Sequence, residues 1–135
     1  MTGGDLRANR RWWWAICAIA VAGLALRFVC SLGDLWFDEA WSASQARDAL
    51  TPIGVFIGIN HDNNHHLNSL WMQMVGFGAW PPLVRLLSIL SSSAAILVAA
   101  RIAEPRGRIT MVATALLFAF SPMLVTMGSE ARGYA

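Results

Sequence analysis

The sequence predicts an all-α integral membrane protein with three transmembrane helices and an external loop that carries interfacial amphipathic helices. Hydrophobic residues make up 56% of the chain and charged residues only 13%, whereas charged residues are about a quarter of an average soluble domain. The mean hydropathy is +0.50. The apolar residues are also gathered into runs close to the roughly 20 residues that cross a bilayer as a helix.

The first predicted span, 12–30, follows Arg7, Arg10 and Arg11. A basic start before an apolar run is typical of a secretory signal peptide as well as of a membrane anchor. No small-x-small cleavage site follows cleanly, and Arg27 stands where a cleavage region should be neutral. The sequence therefore favours an uncleaved signal anchor.

Two further spans, 83–103 and 109–127, are predicted on either side of a short turn, 104–108. The Ser121-Pro122 step predicts a kink late in the third span. Short loops rich in arginine stay in the cytoplasm, and three arginines lie in or beside this turn: Arg101, Arg106 and Arg108. We therefore predict that the chain is a multi-pass protein of the cell (inner) membrane. The amino terminus and the turn would be cytoplasmic, and residues 31–82 and 128–135 would lie outside.

The external loop contains a further helical pattern, 65–80, that is too short to cross the membrane. As a helix it would be about 24 Å long, against a hydrocarbon core of about 30 Å. Its apolar residues share one face, which predicts an amphipathic helix in the interface plane. Earlier in the loop, Thr51 and Pro52 predict an N-cap and a first-turn proline that open another helix.

Two adjacent carboxylates, Asp38 and Glu39, lie among aromatic residues directly after the first span. Ionised side chains at the edge of a bilayer are costly, so such a pair is a functional-site hypothesis. The alternative is that Asp38 caps a helix over 39–50, which would stabilise that helix by about 1 kcal/mol. Both interpretations stay open, because a cap also fixes the direction of the carboxylate.

A polar cluster in the same loop contains His61, Asp62, His65 and His66. Imidazole and carboxylate groups suit zinc or manganese, but the spacing matches no tight zinc motif. The favoured interpretation is an asparagine-rich turn that orders the loop and caps the 65–80 helix, and no metal ligand is assigned.

Four stretches together resemble the GT-C membrane glycosyltransferases, which include protein O-mannosyltransferases, lipid A aminoarabinose transferases and rhizobial lipopolysaccharide core transferases. They are LWFDEA at 35–40, HHLNSLW at 65–71, VRLLSIL at 84–90, and the segment 121–135 that begins Ser-Pro and contains EARGYA. The sequence departs from the family at Leu87, where the motif has proline. It also departs at the helix of 65–80, which begins His-His-Leu-Asn rather than with prolines.

The resemblance implies transfer of a sugar from a polyprenyl-phosphate carrier to an acceptor on the outer face of the membrane. It implies that Asp38 is the general base, that Glu39 orients it or helps a metal, and that Arg85 and Arg132 bind the donor phosphate. Further candidates are His65, His66, Glu130 and Tyr134. Use of a divalent cation varies across these enzymes, so no cofactor is assigned, and the scattered arginines predict no nucleic-acid partner.

Length is the largest departure, since family members have several hundred residues and many more spans. Three spans cannot enclose a lipid-linked donor and an acceptor, so we expect an N-terminal part of a truncated or split enzyme, inactive alone. One alternative is a non-enzymatic membrane protein or enzyme remnant that packs against partner helices through the small residues 91–95. The other alternative is a fragment of a transporter. Buried charges line transport pathways, so the charge-free middle of 109–127 argues against it.

Overall fold

The computed structural model describes residues 3–59 and 65–131, with side chains from residue 10 onward. These residues form α-helices and turns without a strand, which confirms the all-helical prediction. The helices are α1 (Gly3–Cys30), α2 (Phe37–Asp48), α3 (Pro52–Gly58), α4 (His66–Val75), α5 (Pro81–Val84), α6 (Leu86–Ala103), α7 (Arg108–Phe120) and α8 (Pro122–Gly128). A 3₁₀ turn, Glu104–Arg106, joins α6 to α7.

A three-helix bundle of α1, α6 and α7 forms the apolar body of the molecule. The segments Arg10–Cys30 and Leu86–Arg106 are each long and apolar enough to cross a membrane. Small residues let these helices approach closely, since a Cβ added to Gly23 would lie 2.8 Å from Cδ1 of Ile96. The bundle core is built from Ile16, Ala20, Ile96, Ala100, Met111, Ala115 and Ala119.

The predicted third span is broken in the structure, and α7 and α8 meet at an angle of 56°. Pro122 has no N–H, so it cannot donate to the carbonyl of Phe118 as the next residue of a continuous helix would. The predicted kink at Ser121-Pro122 is therefore confirmed. Among the described residues, two helices are long and apolar enough to cross a membrane, or three if the bent pair α7–α8 is one span.

The start of the first span and the 3₁₀ turn lie at the same end of the bundle. Nε1 of Trp13 donates to Oε1 of Glu104 at 3.3 Å. This arrangement is the one expected if α1 and α6 run in opposite directions, as the arginine distribution predicts. The side of the membrane to which this end belongs stays a prediction.

Helices α2 to α5 form a small cap at the other end of the bundle. Its core contains Ala46, Met72, Val84 and Ala131. The predicted N-cap of α3 is confirmed, because Oγ1 of Thr51 accepts a hydrogen bond from the N–H of Gly54 at 3.0 Å.

Helix α4 is shorter than the predicted 65–80 helix. It ends at Val75 because Gly76 takes a φ of 89°, a left-handed conformation that glycine adopts without strain. The helix has two distinct faces, but a polar residue, Asn68, faces the protein interior, whereas the apolar residues Leu67 and Met74 are exposed. Its position in the membrane interface stays a prediction. The asparagine-rich turn expected to cap it lies outside the described residues.

Candidate functional site

Glu39 is the best-anchored member of the acidic pair. Its side chain is fully buried, and Oε2 accepts a hydrogen bond from the backbone N–H of Trp36 at 2.8 Å. Trp36 is the N-cap residue of α2, so Glu39 reaches back over the first turn in the manner of half a capping box. Oε1 of Glu39 accepts from the backbone N–H of Ala131, far along the chain.

Arg85 forms a bidentate ion pair with Glu39. Nε of Arg85 lies 2.9 Å from Oε1 of Glu39 and Nη2 lies 2.6 Å from Oε2. Its three remaining N–H groups donate to backbone carbonyls just after α1, those of Ser31, Gly33 and Asp34. Every donor of this buried guanidinium is therefore used inside the protein, and a phosphate would have to displace one of these acceptors. Phosphate binding by Arg85 stays a prediction.

Local sequence explains why Arg85 reaches this position. The paired prolines Pro81 and Pro82 start α5, and the chain turns at Arg85 before α6 begins at Leu86. The turn directs the side chain to the segment just after the carboxyl end of α1, where the carbonyls of Ser31, Gly33 and Asp34 accept its hydrogen bonds. A cation there also interacts favourably with the helix dipole.

The segment after α8 completes the site through its backbone. The N–H of Ala131 donates to Glu39, and the carbonyl of Ala131 accepts a hydrogen bond from Nδ2 of Asn68. Ser129, Glu130 and Ala131 are all buried. The site therefore joins the start of α2, α4 and the segment after α8 through hydrogen bonds between residues far apart in the sequence.

Asp38 lies beside this buried network with its side chain exposed. It does not cap the helix as the alternative proposed: α2 begins at Phe37, two residues earlier than predicted, and the N-cap is Trp36. Asp38 belongs to the first turn, where a negative charge is favoured by the helix dipole. Its backbone carbonyl also accepts from Oγ of Ser42 at 2.8 Å. The anchored turn thus fixes the backbone position of Asp38 at the surface.

The environment of Glu39 favours its charged form. Burial raises the pKa of the Glu39 carboxyl, but hydrogen bonds from Arg85, Ala131 and Trp36 and the positive charge of Arg85 lower it by more. The pKa of Glu39 therefore lies below its ordinary value. A carboxylate that stays ionised and holds four hydrogen bonds suits a positioning role better than proton transfer.

The other predicted residues have different surroundings. His66 stacks on Phe56 with ring centroids 5.3 Å apart, and His65 is the partly buried N-cap residue of α4. In the described part of the chain, no three His, Cys, Asp or Glu side chains come together as a metal site. Four of the residues considered from the sequence lie outside the described residues: His61, Asp62, Arg132 and Tyr134.

Sequence reasoning missed the structural role of Arg27, which it used only to argue against cleavage. Arg27 is buried, and it donates to the carbonyls of Phe118 and Ala119 at 2.8 Å and 3.1 Å, at the break before Pro122. An arginine within one apolar run and a proline within another are the signals that could have suggested this contact.

No protein-family model, curated protein or solved structure matches this chain. The functional assignment therefore depends on the residues and on the geometry described above.

Proposed function

We propose that this chain forms part of a GT-C type glycosyltransferase of the cell membrane. The reaction would transfer a sugar from a polyprenyl-phosphate carrier to an acceptor on the outer face. The observation that carries the proposal is the division of the acidic pair. Glu39 is buried and fully hydrogen-bonded, whereas the adjacent Asp38 is exposed on a turn that Glu39 and Arg85 immobilise.

Asp38 acts as the general base in this proposal. Its carboxylate takes the proton from the acceptor hydroxyl as the acceptor oxygen bonds to the sugar carbon, and the bond from that carbon to the carrier phosphate breaks on the opposite face with inversion. Such help from a positioned base is worth about 10²- to 10⁴-fold in rate. Glu39 and Arg85 are positioning residues that act through Asp38, and donor phosphate binding falls to Arg132.

The test is sugar transfer by membranes from cells in which Asp38→Asn replaces the natural residue at the chromosomal locus. Asparagine keeps the size of the side chain but accepts no proton, so we expect transfer to fall at least about 100-fold. The matched control is Asp48→Asn, an exposed carboxylate at the other end of α2. Transfer at the unsubstituted rate with Asp38→Asn, at equal protein level, would overturn the proposal.

The proposal includes an orientation in which α2 to α5 face outward and the 3₁₀ turn faces the cytoplasm. Single cysteines at Ser44 and Arg106, in a background without Cys17 and Cys30, test it with a membrane-impermeant thiol reagent. Ser44→Cys should react in intact cells and Arg106→Cys only after lysis. The reverse pattern would contradict the orientation.

The non-enzymatic alternative depends on small side chains that a partner helix could reach, and Ser91 and Ala94 are exposed. Of the small residues 91–95, Ser92 and Ser93 are buried within the chain's own bundle. Ser92 accepts a hydrogen bond from Arg27 at 3.0 Å, and a Cβ added to Gly128 would lie 2.6 Å from Cβ of Ser92. These small side chains therefore pack against other helices of this chain.

A further inference from the structure

A groove of 710 Å³ opens between α2, α3 and α4, and none of the predicted site residues lines it. Its volume is within the range of small-molecule clefts, about 300–1,000 Å³. The walls are largely apolar and include one cation; they are formed chiefly by Arg47, Leu50, Leu70, Gln73, Met74 and Phe77.

Leu50 is an unusual residue to find on this wall. Its side chain is 87% exposed and its φ is 57°. Residues with a Cβ rarely adopt this left-handed conformation, and glycine or asparagine would be favoured at a solvated helix end. Strained backbone of this kind clusters at ligand-binding sites. An apolar ligand in the groove would cover this side chain, which is otherwise exposed to solvent.

Arg47 supplies the polar end of the groove. It lies in the last turn of α2 and is exposed, and within residues 3–59 and 65–131 it forms no ion pair. An exposed guanidinium beside an apolar cleft complements an amphiphile with an anionic headgroup. Arginine binds phosphate oxygens through its planar fork of N–H groups.

One wall of the groove lies close to the carboxyl end of the apolar segment Arg10–Cys30. This wall, at Met74 and Phe77, leads into Trp80, whose ring packs edge-on against Phe28 with centroids 5.8 Å apart. Phe28 is in the last turn of the apolar segment Arg10–Cys30. Tryptophan at the end of a span is typical of the headgroup region, so the groove would open beside bilayer lipids if Arg10–Cys30 crosses the membrane.

We infer that the groove binds one anionic phospholipid from the surrounding bilayer. An acyl chain lies along Leu50, Leu70 and Met74, and Arg47 binds the headgroup phosphate. This site is separate from the Asp38–Glu39 site, and the inference does not depend on the proposed transfer reaction.

Photo-labelling of the full chain in lipid vesicles tests the inference. The probes are phosphatidylglycerol and phosphatidylcholine that carry the same diazirine-labelled acyl chain, and the labelled peptides are mapped by mass spectrometry. We expect labelling of groove residues, about fivefold stronger with phosphatidylglycerol, as one interfacial arginine would give. Equal labelling by the two lipids, or labelling confined to the outer surfaces of α1, α6 and α7, would overturn the inference.

Substitutions at exposed positions separate the two parts of the site. Arg47→Gln should remove the preference for phosphatidylglycerol, whereas Arg106→Gln, an exposed arginine at the other end of the bundle, should leave it intact. Leu50→Asn keeps a residue that tolerates left-handed backbone and should reduce labelling by both lipids. Thermal unfolding of each variant checks that the fold is retained. An unchanged preference in Arg47→Gln, or undiminished labelling of the groove in Leu50→Asn, would contradict the inference.

Discussion

Two buried arginines, at different positions along the molecule, satisfy their hydrogen-bond donors with different kinds of acceptor. Arg27, within the apolar segment Arg10–Cys30, and Arg85, beside the carboxyl end of that segment, are 1% and 2% exposed. Each guanidinium makes five hydrogen bonds. Arg85 gives two of them to a carboxylate, whereas Arg27 gives four to backbone carbonyls and one to the hydroxyl of Ser92.

The surroundings explain the difference. A carboxylate within a span would add a second charge that is costly to bury, and the broken helix α7–α8 instead offers carbonyls that Pro122 leaves unpaired. The carboxyl end of α7 also carries the partial negative charge of the helix dipole. Beyond the end of the apolar segment a carboxylate is less costly, and the pairing of Glu39 with Arg85 fixes the turn that bears Asp38. Arg27 therefore stabilises a bend, whereas Arg85 organises the candidate site.

The largest expected effect on stability comes from breaking the Glu39–Arg85 pair. Arg85→Met keeps much of the side-chain volume but leaves Glu39 buried without its cation, which should destabilise the fold by about 3–5 kcal/mol. Arg101→Met is the control. Arg101 is the exposed member of the Arg101–Glu104 pair, and exposed ion pairs contribute about 0–1 kcal/mol to stability. Thermal unfolding in detergent measures both. Equal losses of stability in Arg85→Met and Arg101→Met would mean that burial of the Glu39–Arg85 pair has no energetic consequence.

A smaller loss of stability is expected when Arg27 is replaced. Arg27→Met removes donors from the carbonyls at the α7–α8 break but leaves no charge unpaired, so the loss should be about 1–3 kcal/mol. Pro122→Ala restores an N–H that can reach Phe118, and we expect the double variant to be more stable than Arg27→Met alone. If the stability changes of Arg27→Met and Pro122→Ala simply add in a double-mutant cycle, Arg27 does not act on the break at Pro122, and the prediction is wrong.

The pH dependence of unfolding distinguishes the two sites further. The pKa of Glu39 is lowered in the folded protein, and an unfolded glutamate titrates near about 4.3. Its contribution to stability is therefore fully present above about pH 5 and is lost as pH falls through the folded pKa. Comparing unfolding from pH 7 to pH 3, we expect the acid-induced loss to be smaller in Glu39→Gln. An identical pH profile would contradict the predicted ionisation.

The smallest expected effect on stability is that of Asp38→Asn. The side chain is exposed, so stability should change by no more than about 0.5 kcal/mol, even though the proposed transfer would be lost. Thermal unfolding beside the transfer measurement gives the comparison. A loss of stability comparable to that of Arg85→Met would make Asp38 a part of the buried network instead of a base.

The sequence determined the class of the protein and the positions of its apolar helices, because hydropathy and length depend only on the order of residues along one chain segment. It likewise determined the kink at Pro122 and the N-cap at Thr51, which follow from the chemistry of one or two adjacent residues. The start of α2 was predicted wrongly, because the carboxylate that reaches back to the N-cap is Glu39 and its position depends on Arg85, in the turn between α5 and α6.

Only the tertiary structure decided which member of the acidic pair is buried and which is exposed. Asp38 and Glu39 are neighbours with the same charge, and nothing local distinguishes them. The distinction arises because Arg85 and the backbone N–H of Ala131, 46 and 92 residues further along the chain, meet at Glu39. Arg27 and the break at Pro122 meet in the same way across two helices. Hydrogen bonds between distant segments leave no periodic trace in a sequence, so such contacts become visible only when the chain is folded.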